Sequence, residues 1–523
     1  MLFPSWFGNV IGSGPARRLV DKFFLNFARR RRSELDHRDV AATQEQTLLK
    51  LIRAAQNTQF GVDHDFHRIR SRSDYRRLVP LRTYEDFWRD YWQAKFPRLA
   101  GVTWPQANPY YALSSGTTSG ATKYLPVSPA LLASNRKAAL TMLASFAVAN
   151  PRARLFSGQM FFLGGSTDLT RLDDGSQMGD LSAIASITVP PWLRPFTFPP
   201  SEIALLRDWD EKLNRVAELS LRQQITLLGG VPSWMLILIA RLKQLTGKTT
   251  LAEIWPQLEV IVHGGIKFDP YRELFRQEVG SDRVKFVETY PASEGFVAFE
   301  DALHGGLRPV PDHDIYYEFV PLAELDHARP TRHALADVEV DVNYAVVLTT
   351  CAGLWSYVIG DTVAFERKQP HILRFTGRTK YYLSAFGEHL ISEEIEKAIA
   401  CAARTTGAAA LDFHVGPVFP TGNEQIGHHL YLVEFATPME SAAEFISVLD
   451  RLLGESNEDY LAHRNGDISL LQPRLRIVKP GGFAEWMRAH GKLGGQHKLP
   501  RMDNTGRQTA EMKGWLESRG WLV

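Results

Sequence analysis

Apolar residues recur at helical spacing through LVDKFFLNF (residues 19–27) and again through QTLLKLIRAA (residues 46–55). The spacing predicts helix over residues 15–57, with Asn57 and Gly61 as stop signals. The pattern then changes. RLFSGQMFFLGG, QITLLGG, LEVIVHGG, VKFVETY and YAVVLTT are short segments rich in β-branched or aromatic residues, and four of them end close to Gly or Ser. Helical patterns such as SEIALLRDWDEKLNRVAELSLRQQ separate several of them. Alternation of this kind predicts an α/β fold with a substantial parallel sheet. Ligands in such folds sit beyond the carboxyl ends of strands, where these glycine-rich turns fall.

The texture shifts near Gly377. Before it, DVNYAVVLTTCAGLWSYVIGDTVAFE is rich in strand and turn signals. After it, SEEIEKAIACAARTT reads as a helix with acids in its first turn and an arginine in its last. LDFHVGPV, HHLYLVEF and LRIVKPGGF then read as strands of a smaller α+β unit, with the helix AAEFISVLDRLLGES between the last two. The expected division is a large domain over residues 1–377 and a small C-terminal one over 378–523. No internal repeat appears, which excludes a solenoid.

Composition narrows the classes. A chain of 523 residues has room for two or three domains, and 44% hydrophobic with 23% charged residues is an ordinary globular balance. With 60 Lys and Arg against 58 Asp and Glu there is no bulk field to favour nucleic acid. The two cysteines, Cys351 and Cys401, form no CxxC or Cys/His cluster, so neither a disulfide scaffold nor a thiolate zinc site is expected. The longest apolar runs, such as Trp234 to Ala240, are far shorter than a membrane span, and a cytoplasmic location is the expectation. One region departs from the average: Met1 to Arg32 holds seven Arg or Lys and one acid, ending in the run Arg29 to Arg32. Such a helix can lie on an anionic membrane; a peripheral helix with a solvated basic end is the reading preferred here.

The stretch SSGTTSGATKYLPVS, residues 114–128, raises the question of chemistry. Gly, Ser and Thr in a row can be a plain flexible turn. They can also expose a concave row of backbone N–H groups, add hydroxyl donors and close on Lys123, which makes a cradle for polyphosphate. It is not a Walker loop, because Ala121 stands where the second glycine belongs and Tyr124 follows the lysine. GSGPAR at Gly12 also fails as a dinucleotide fingerprint, since the third glycine and the preceding strand are missing.

Further patches follow in a fixed order: HGG at His263 to Gly265, YPASE at Tyr290 to Glu294, YVIGD at Tyr357 to Asp361, GRTKYYLSAFGEHLISEEIE from Gly377, and GGQHKLPR ending at Arg501. Together with the hydroxyl-rich loop, this set resembles the acyl-adenylate-forming superfamily. Within it, TQFGVDH, VPLRTYEDF, GVPSW, YPASEG, TTCAGLWSYVIGD and GGQHKLPR resemble the acyl acid amido synthetases of the auxin-conjugating Gretchen Hagen family, from about residue 50 to the C-terminus. The resemblance implies a large N-terminal α/β domain of adenylate-forming type with a smaller mobile α+β C-terminal domain. It also implies ATP and Mg²⁺ as cofactors, with a small carboxylic acid and an amino acid or other amine as partners. A coenzyme A or carrier-protein thiol is the alternative acceptor.

Pushing a carboxylate onto the α-phosphate of ATP requires several negative charges to be neutralised around an in-line displacement. By the resemblance, Ser114, Ser115, Gly116, Thr117 and Thr118 hold phosphate oxygens while Lys123 adds a point charge. Glu294 takes Mg²⁺, Tyr290 with Gly264 and Gly265 brackets the adenine next to Ser293, Asp361 accepts the ribose hydroxyls, and Arg378 approaches ribose or phosphate. Lys498 is the candidate for the small-domain lysine that meets the acyl carboxylate and α-phosphate, with Lys492 its rival, and Lys380 falls at the hinge.

Each of these also has an ordinary reading taken singly: Glu294 as a helix N-terminal acid, Asp361 as a turn residue after Gly360, Arg378 and Lys498 as surface cations. Their joint order supports a shared site. Departures from the family pattern are Cys351 and Trp355 in CAGLWSY and Pro291, expected to stiffen the YPASEG turn; they leave ATP use intact and auxin itself an open choice of acid. Cys351 is expected to pack beside the nucleotide, His389, His428 and His429 to be structural or surface residues, and Phe161, Phe162, Trp192 and Trp234 to be candidates for an acyl pocket.

Overall fold

The computed structural model describes residues 14–115, 122–164, 169–206, 208–264, 268, 271–379, 382–383, 385–386, 388, 390–419, 426–439, 441–457, 460–461, 464, 470–492 and 498–523. The predicted N-terminal helix is two helices, Gly14–Asp36 and Val40–Ala55. Asp39 divides them, its carboxylate accepting the Ala42 N–H at 2.9 Å as an N-cap. The basic run is only partly solvated, contrary to expectation. Arg31 is buried against Asp312 at 2.7 Å, and Arg32 against Asp301 at 2.8 Å, because these guanidiniums tie the helix to the sheet's loops instead of facing water.

The helix expected over residues 201–224 is likewise broken, into Ser201–Ala204 and Trp209–Ser220, with Asp208 capping the second by accepting the Glu211 N–H at 2.6 Å.

A twelve-stranded sheet forms the frame of the large domain among the described residues. Thr197–Phe198, Gln159–Leu163, Ile225–Gly230, Val260–Gly264 and Lys285–Ala292 are parallel neighbours in that order. The other strands, Gly295–Glu300, Leu307–Pro309, His371–Arg378, Tyr357–Lys368, Asn343–Thr350, Ile315–Pro321 and His333–Ala334, continue it antiparallel. The sheet is thus mixed: YAVVLTT, expected among the parallel strands, pairs antiparallel on both sides. The central parallel strands, Ile225–Gly230 and Val260–Gly264, are buried on both faces, as crossover helices require. Ile261 packs into a cluster with Leu238 and Phe275, while its neighbours Val260 and Val262 face Phe146 and Phe296. A small separate sheet pairs Tyr110–Ser115 with Thr122–Val127.

The small domain is a three-stranded sheet, Ala409–Val418, Gly427–Thr437 and Leu470–Val478, covered on both faces. Helices Ser392–Thr405 and Ala442–Ser456 bury Ile399, Ala402 and Leu449 on one side against Phe413 and Val433. Helices Gly482–Ala489 and Arg507–Ser518 bury Trp486, Met512 and Leu516 on the other against Leu430 and Leu432. Among the described residues no helix is long and apolar enough to cross a membrane.

Candidate active site

The parallel strands end at a cleft of about 2000 Å³ that the small domain closes from the other side. Gly264 ends its strand opposite Thr289, and a Cβ there would lie 2.6 Å from the Thr289 carbonyl oxygen. Glycine is therefore required for two strands to run this close, which leaves a flat backbone edge on the cleft.

The next strand, Lys285–Ala292, folds back into Gly295–Glu300 through a two-residue turn of Ser293 and Glu294. Pro291 pairs with Phe296 inside the hairpin rather than in its turn, so it does not stiffen the turn as expected. Glu294 is buried, lines the cleft and sits beside the Tyr357 phenol. Burial raises its carboxyl above the usual range; the Asp361 charge adds to this, and Lys123 and Arg378 oppose it.

Asp361 and Arg378 are direct cross-strand partners, which puts Arg378 Nε 3.1 Å from Asp361 Oδ1. The other oxygen, Oδ2, accepts the Tyr290 hydroxyl at 2.7 Å. Gly360, at φ 88°, allows the chain to enter Asp361 from a left-handed conformation. Tyr290 is buried beside Asp361, and both desolvation and that charge hold its phenol well above the ordinary value. It therefore stays a hydrogen-bond donor. A carboxylate has about four acceptor positions, so Asp361 keeps capacity for further donors beside these two.

Lys123 stands opposite Ser114 in a small four-stranded sheet, and both line the cleft. Its ammonium lies 5.5 Å from the centre of the Tyr84 ring. Gly116, Thr117, Thr118, Gly265, Lys380 and His389 lie outside the described residues, as does the Ser115 side chain.

Lys498, from the small domain, lines the same cleft, near enough to Asp361 and Arg378 for both charges to act on its ammonium. Its side chain is exposed to the cleft, where partial desolvation by the surrounding wall and the Arg378 charge pull its ammonium down to about 8. Lys492 also lines the cleft, but its ammonium lies 5.5 Å from the Trp486 ring of its own domain. Of the two lysines, Lys498 is thus the one whose ammonium feels the Asp361 pair.

Among the described residues no group of three or more His, Cys, Asp or Glu gathers to hold a metal. Mg²⁺ commonly uses one or two carboxylates and completes its shell with phosphates and water, so Glu294, buried and lacking full charge compensation, fits such an ion. Cys351 and Trp355 are buried in the large-domain core and do not line the cleft. Burial pushes the Cys351 thiol up to about 12, which removes it as a nucleophile and corrects its expected place beside the nucleotide. Of the four candidate pocket aromatics, Phe162 and Trp234 line the cleft while Phe161 is core. His428 and His429 are buried, with His429 Nε2 2.7 Å from Glu388 Oε1.

Sequence reasoning passed over Tyr357 and Arg501, although both stand inside patches it used, YVIGD and GGQHKLPR.

The chain matches three consecutive family models: the GH3 family N-terminal domain over residues 29–284, the central domain over 309–378 and the C-terminal domain over 393–507. It is 28% identical over 196 residues to an Arabidopsis thaliana indole-3-acetic acid-amido synthetase, covering 36% of this chain and 33% of the relative. It is 29% identical over 196 residues to a Nicotiana attenuata jasmonoyl-L-amino acid synthetase, again covering 36% and 33%. The chain spans about a third of the length of either relative. The fold superposes on an acyl acid amido synthetase, AtGH3.15 in complex with 2,4-DB, with a TM-score of 0.79, 18% identity and 96% of both chains covered. It also superposes on a 2-hydroxyisobutyryl-CoA ligase in the postadenylation state, with a TM-score of 0.59, 13% identity and 90% and 91% covered. With family domains matched in order from residue 29 to 507 on an adenylate-forming fold, the chain belongs to the GH3 family.

Proposed function

We propose that this chain is an ATP- and Mg²⁺-dependent acyl acid amido synthetase of the cytoplasm, dividing near residue 377 into a large nucleotide- and acid-binding domain and a small lid. A carboxylate oxygen attacks the α-phosphorus of ATP and pyrophosphate leaves. An amino acid amine then attacks the acyl carbon, loses its proton and expels AMP. The observation that carries this reading is the convergence of Lys123, Tyr290, Glu294, Asp361, Arg378 and Lys498, scattered over 376 positions of sequence (123 to 498), on one cleft. Named relatives that join acids to amino acids support the acceptor class.

In this reading Asp361 takes the ribose hydroxyls, with Tyr290 and Arg378 fixing its orientation. Ser114 and Lys123 face the phosphates. Ser293 and Glu294 present the turn nearest them. Glu294 would hold Mg²⁺, which neutralises phosphate charge when bound. Lys498 supplies positive charge where the acid and the α-phosphate meet. Purified protein given ATP and panels of aromatic and aliphatic acids with amino acids should release AMP and pyrophosphate and form an amide. Release of ADP, or the absence of acid-dependent pyrophosphate exchange across the panel, would sink this reading. Exchange that turns over only with coenzyme A or a carrier protein would select thiol transfer instead.

A further inference from the structure

Helix Gly14–Asp36 presents two unlike faces. The inner one is tied down: Arg17 donates to the Gly158 and Pro195 carbonyls at 3.1 and 3.2 Å, Asp21 accepts the Phe156 N–H at 2.9 Å and the Ser157 hydroxyl at 2.7 Å, and Ala28, Arg31 and Arg32 are buried. The outer one carries exposed Arg18, Lys22 and Arg29 along one row and Leu19 and Phe23 along the next, since residues four or seven apart share a side of a helix. Leu19 is 55% exposed and Phe23 60%, although the apolar stripe of a peripheral helix normally faces the core.

Arg18 also forms part of the wall of a crevice of about 990 Å³, where Arg152, Arg154, Arg283 and Lys285 gather and Glu259 is the only acid among the described residues that line it. All of these cations are exposed. Ser157, Glu259 and Lys285 set the crevice at the amino ends of strands Gln159–Leu163, Val260–Gly264 and Lys285–Ala292, whereas the candidate active-site cleft lies at their carboxyl ends. At the rise of an extended strand that separates the two by roughly 17–26 Å. The chain as a whole is almost neutral, with 60 basic and 58 acidic residues, so this end of the sheet concentrates positive charge locally. Exposed guanidiniums pair well with phosphate oxygens. A free phosphate, however, gives Leu19 and Phe23 nothing to leave water for. An anionic bilayer offers both, phosphates for the cations and an acyl boundary for the two apolar side chains.

We propose that the outer face of helix Gly14–Asp36 and the adjoining basic crevice form a peripheral docking surface for anionic phospholipid, at the end of the large domain opposite the cleft. The full chain is tested by co-sedimentation with vesicles of phosphatidylcholine alone and of phosphatidylcholine with about 30 mol% phosphatidylglycerol, at about 0.1 M salt. Binding is expected only to the anionic vesicles. Arg18→Ala with Arg152→Ala should weaken it about 25-fold, about fivefold for each cation lost near an anionic surface. Leu19→Ser with Phe23→Ser should weaken it about tenfold or more, by removing the inserted apolar area. All four positions are exposed, and thermal unfolding at the parent's temperature verifies the fold of each variant. A nitrobenzoxadiazole label on Phe23→Cys, in a Cys401→Ser background that leaves only buried Cys351, should shift its emission to the blue on the anionic vesicles. Failure to bind anionic vesicles, equal binding to both compositions, or an unshifted label overturns the proposal. So does binding that is indifferent to Leu19→Ser with Phe23→Ser and displaced by inorganic polyphosphate, which would assign the crevice to a soluble polyanion instead.

Discussion

On the large-domain wall of the cleft, Asp361 and Arg378 face each other across hydrogen-bonded strands at 3.1 Å and Tyr290 closes the second carboxylate oxygen. On the small-domain wall, Lys498 stands on a segment that is neither helix nor strand, held just beyond it by Arg501, which bonds Glu396 and Asp412 at 2.9 Å, and by the short bridge of Met502 to Val415. The first set is oriented by sheet register, which no domain motion can alter. The second is oriented by how the two domains sit against each other. A site divided in this way can hold nucleotide throughout and still withdraw one cation between steps.

The largest break in that comparison is predicted for Lys498→Ala. Removing a charge aimed at the reacting phosphate should lower acid-dependent exchange by roughly 10²–10³-fold, with little effect on amide formation from supplied acyl-AMP. Lys492→Ala serves as the control and should leave both steps nearly unchanged; the reverse pattern would exchange the roles of the two lysines. Because Lys498 is held near 8, its charge is present below that value and lost above it, so exchange should decline as pH climbs through about 8. Lys498→Arg should move that decline to higher pH, as a guanidinium stays charged.

Next comes Glu294→Gln, expected to lower Mg²⁺-dependent exchange by roughly a hundredfold. Burial raises this carboxyl's pKa, so ionisation at neutral pH works against the folded state and the amide removes that cost. Thermal unfolding at neutral pH should therefore occur at the same temperature or higher. A variant that melts earlier in proportion to its lost activity would remove Glu294 from the metal role.

The smallest effect belongs to Tyr290→Phe. It deletes the donor at 2.7 Å from Asp361 and should raise the ATP requirement by roughly tenfold, the scale of one hydrogen bond to a charged group. An unchanged KM for ATP would show that register alone orients Asp361 and that the phenol adds nothing.

Much of this was legible in the chain. The strands ending at Gly230, Gly264 and Ala292 announce themselves by short β-branched runs closed by glycine or a turn, because such patterns report burial on a pleated surface. Other features were hidden for physical reasons. The Arg29 to Arg32 run looks solvated in one dimension, since the acids that bury Arg31 and Arg32 come from Asp312 and Asp301, far along the chain. Cys351 reads as a neighbour of the site because it lies ten positions before Asp361, yet the strand between them carries it into the core.

Residue type and order alone determined the family, the α/β class and the identity of the charged groups: local periodicity and the chemistry of ATP constrain both within short stretches. Tertiary structure decided which oxygen of Asp361 meets Tyr290 and which meets Arg378, and which of two lysines in the cleft feels the charges of that pair. Those outcomes depend on strand register and on the docking of one domain against another, and both are set by contacts between residues far apart in the chain.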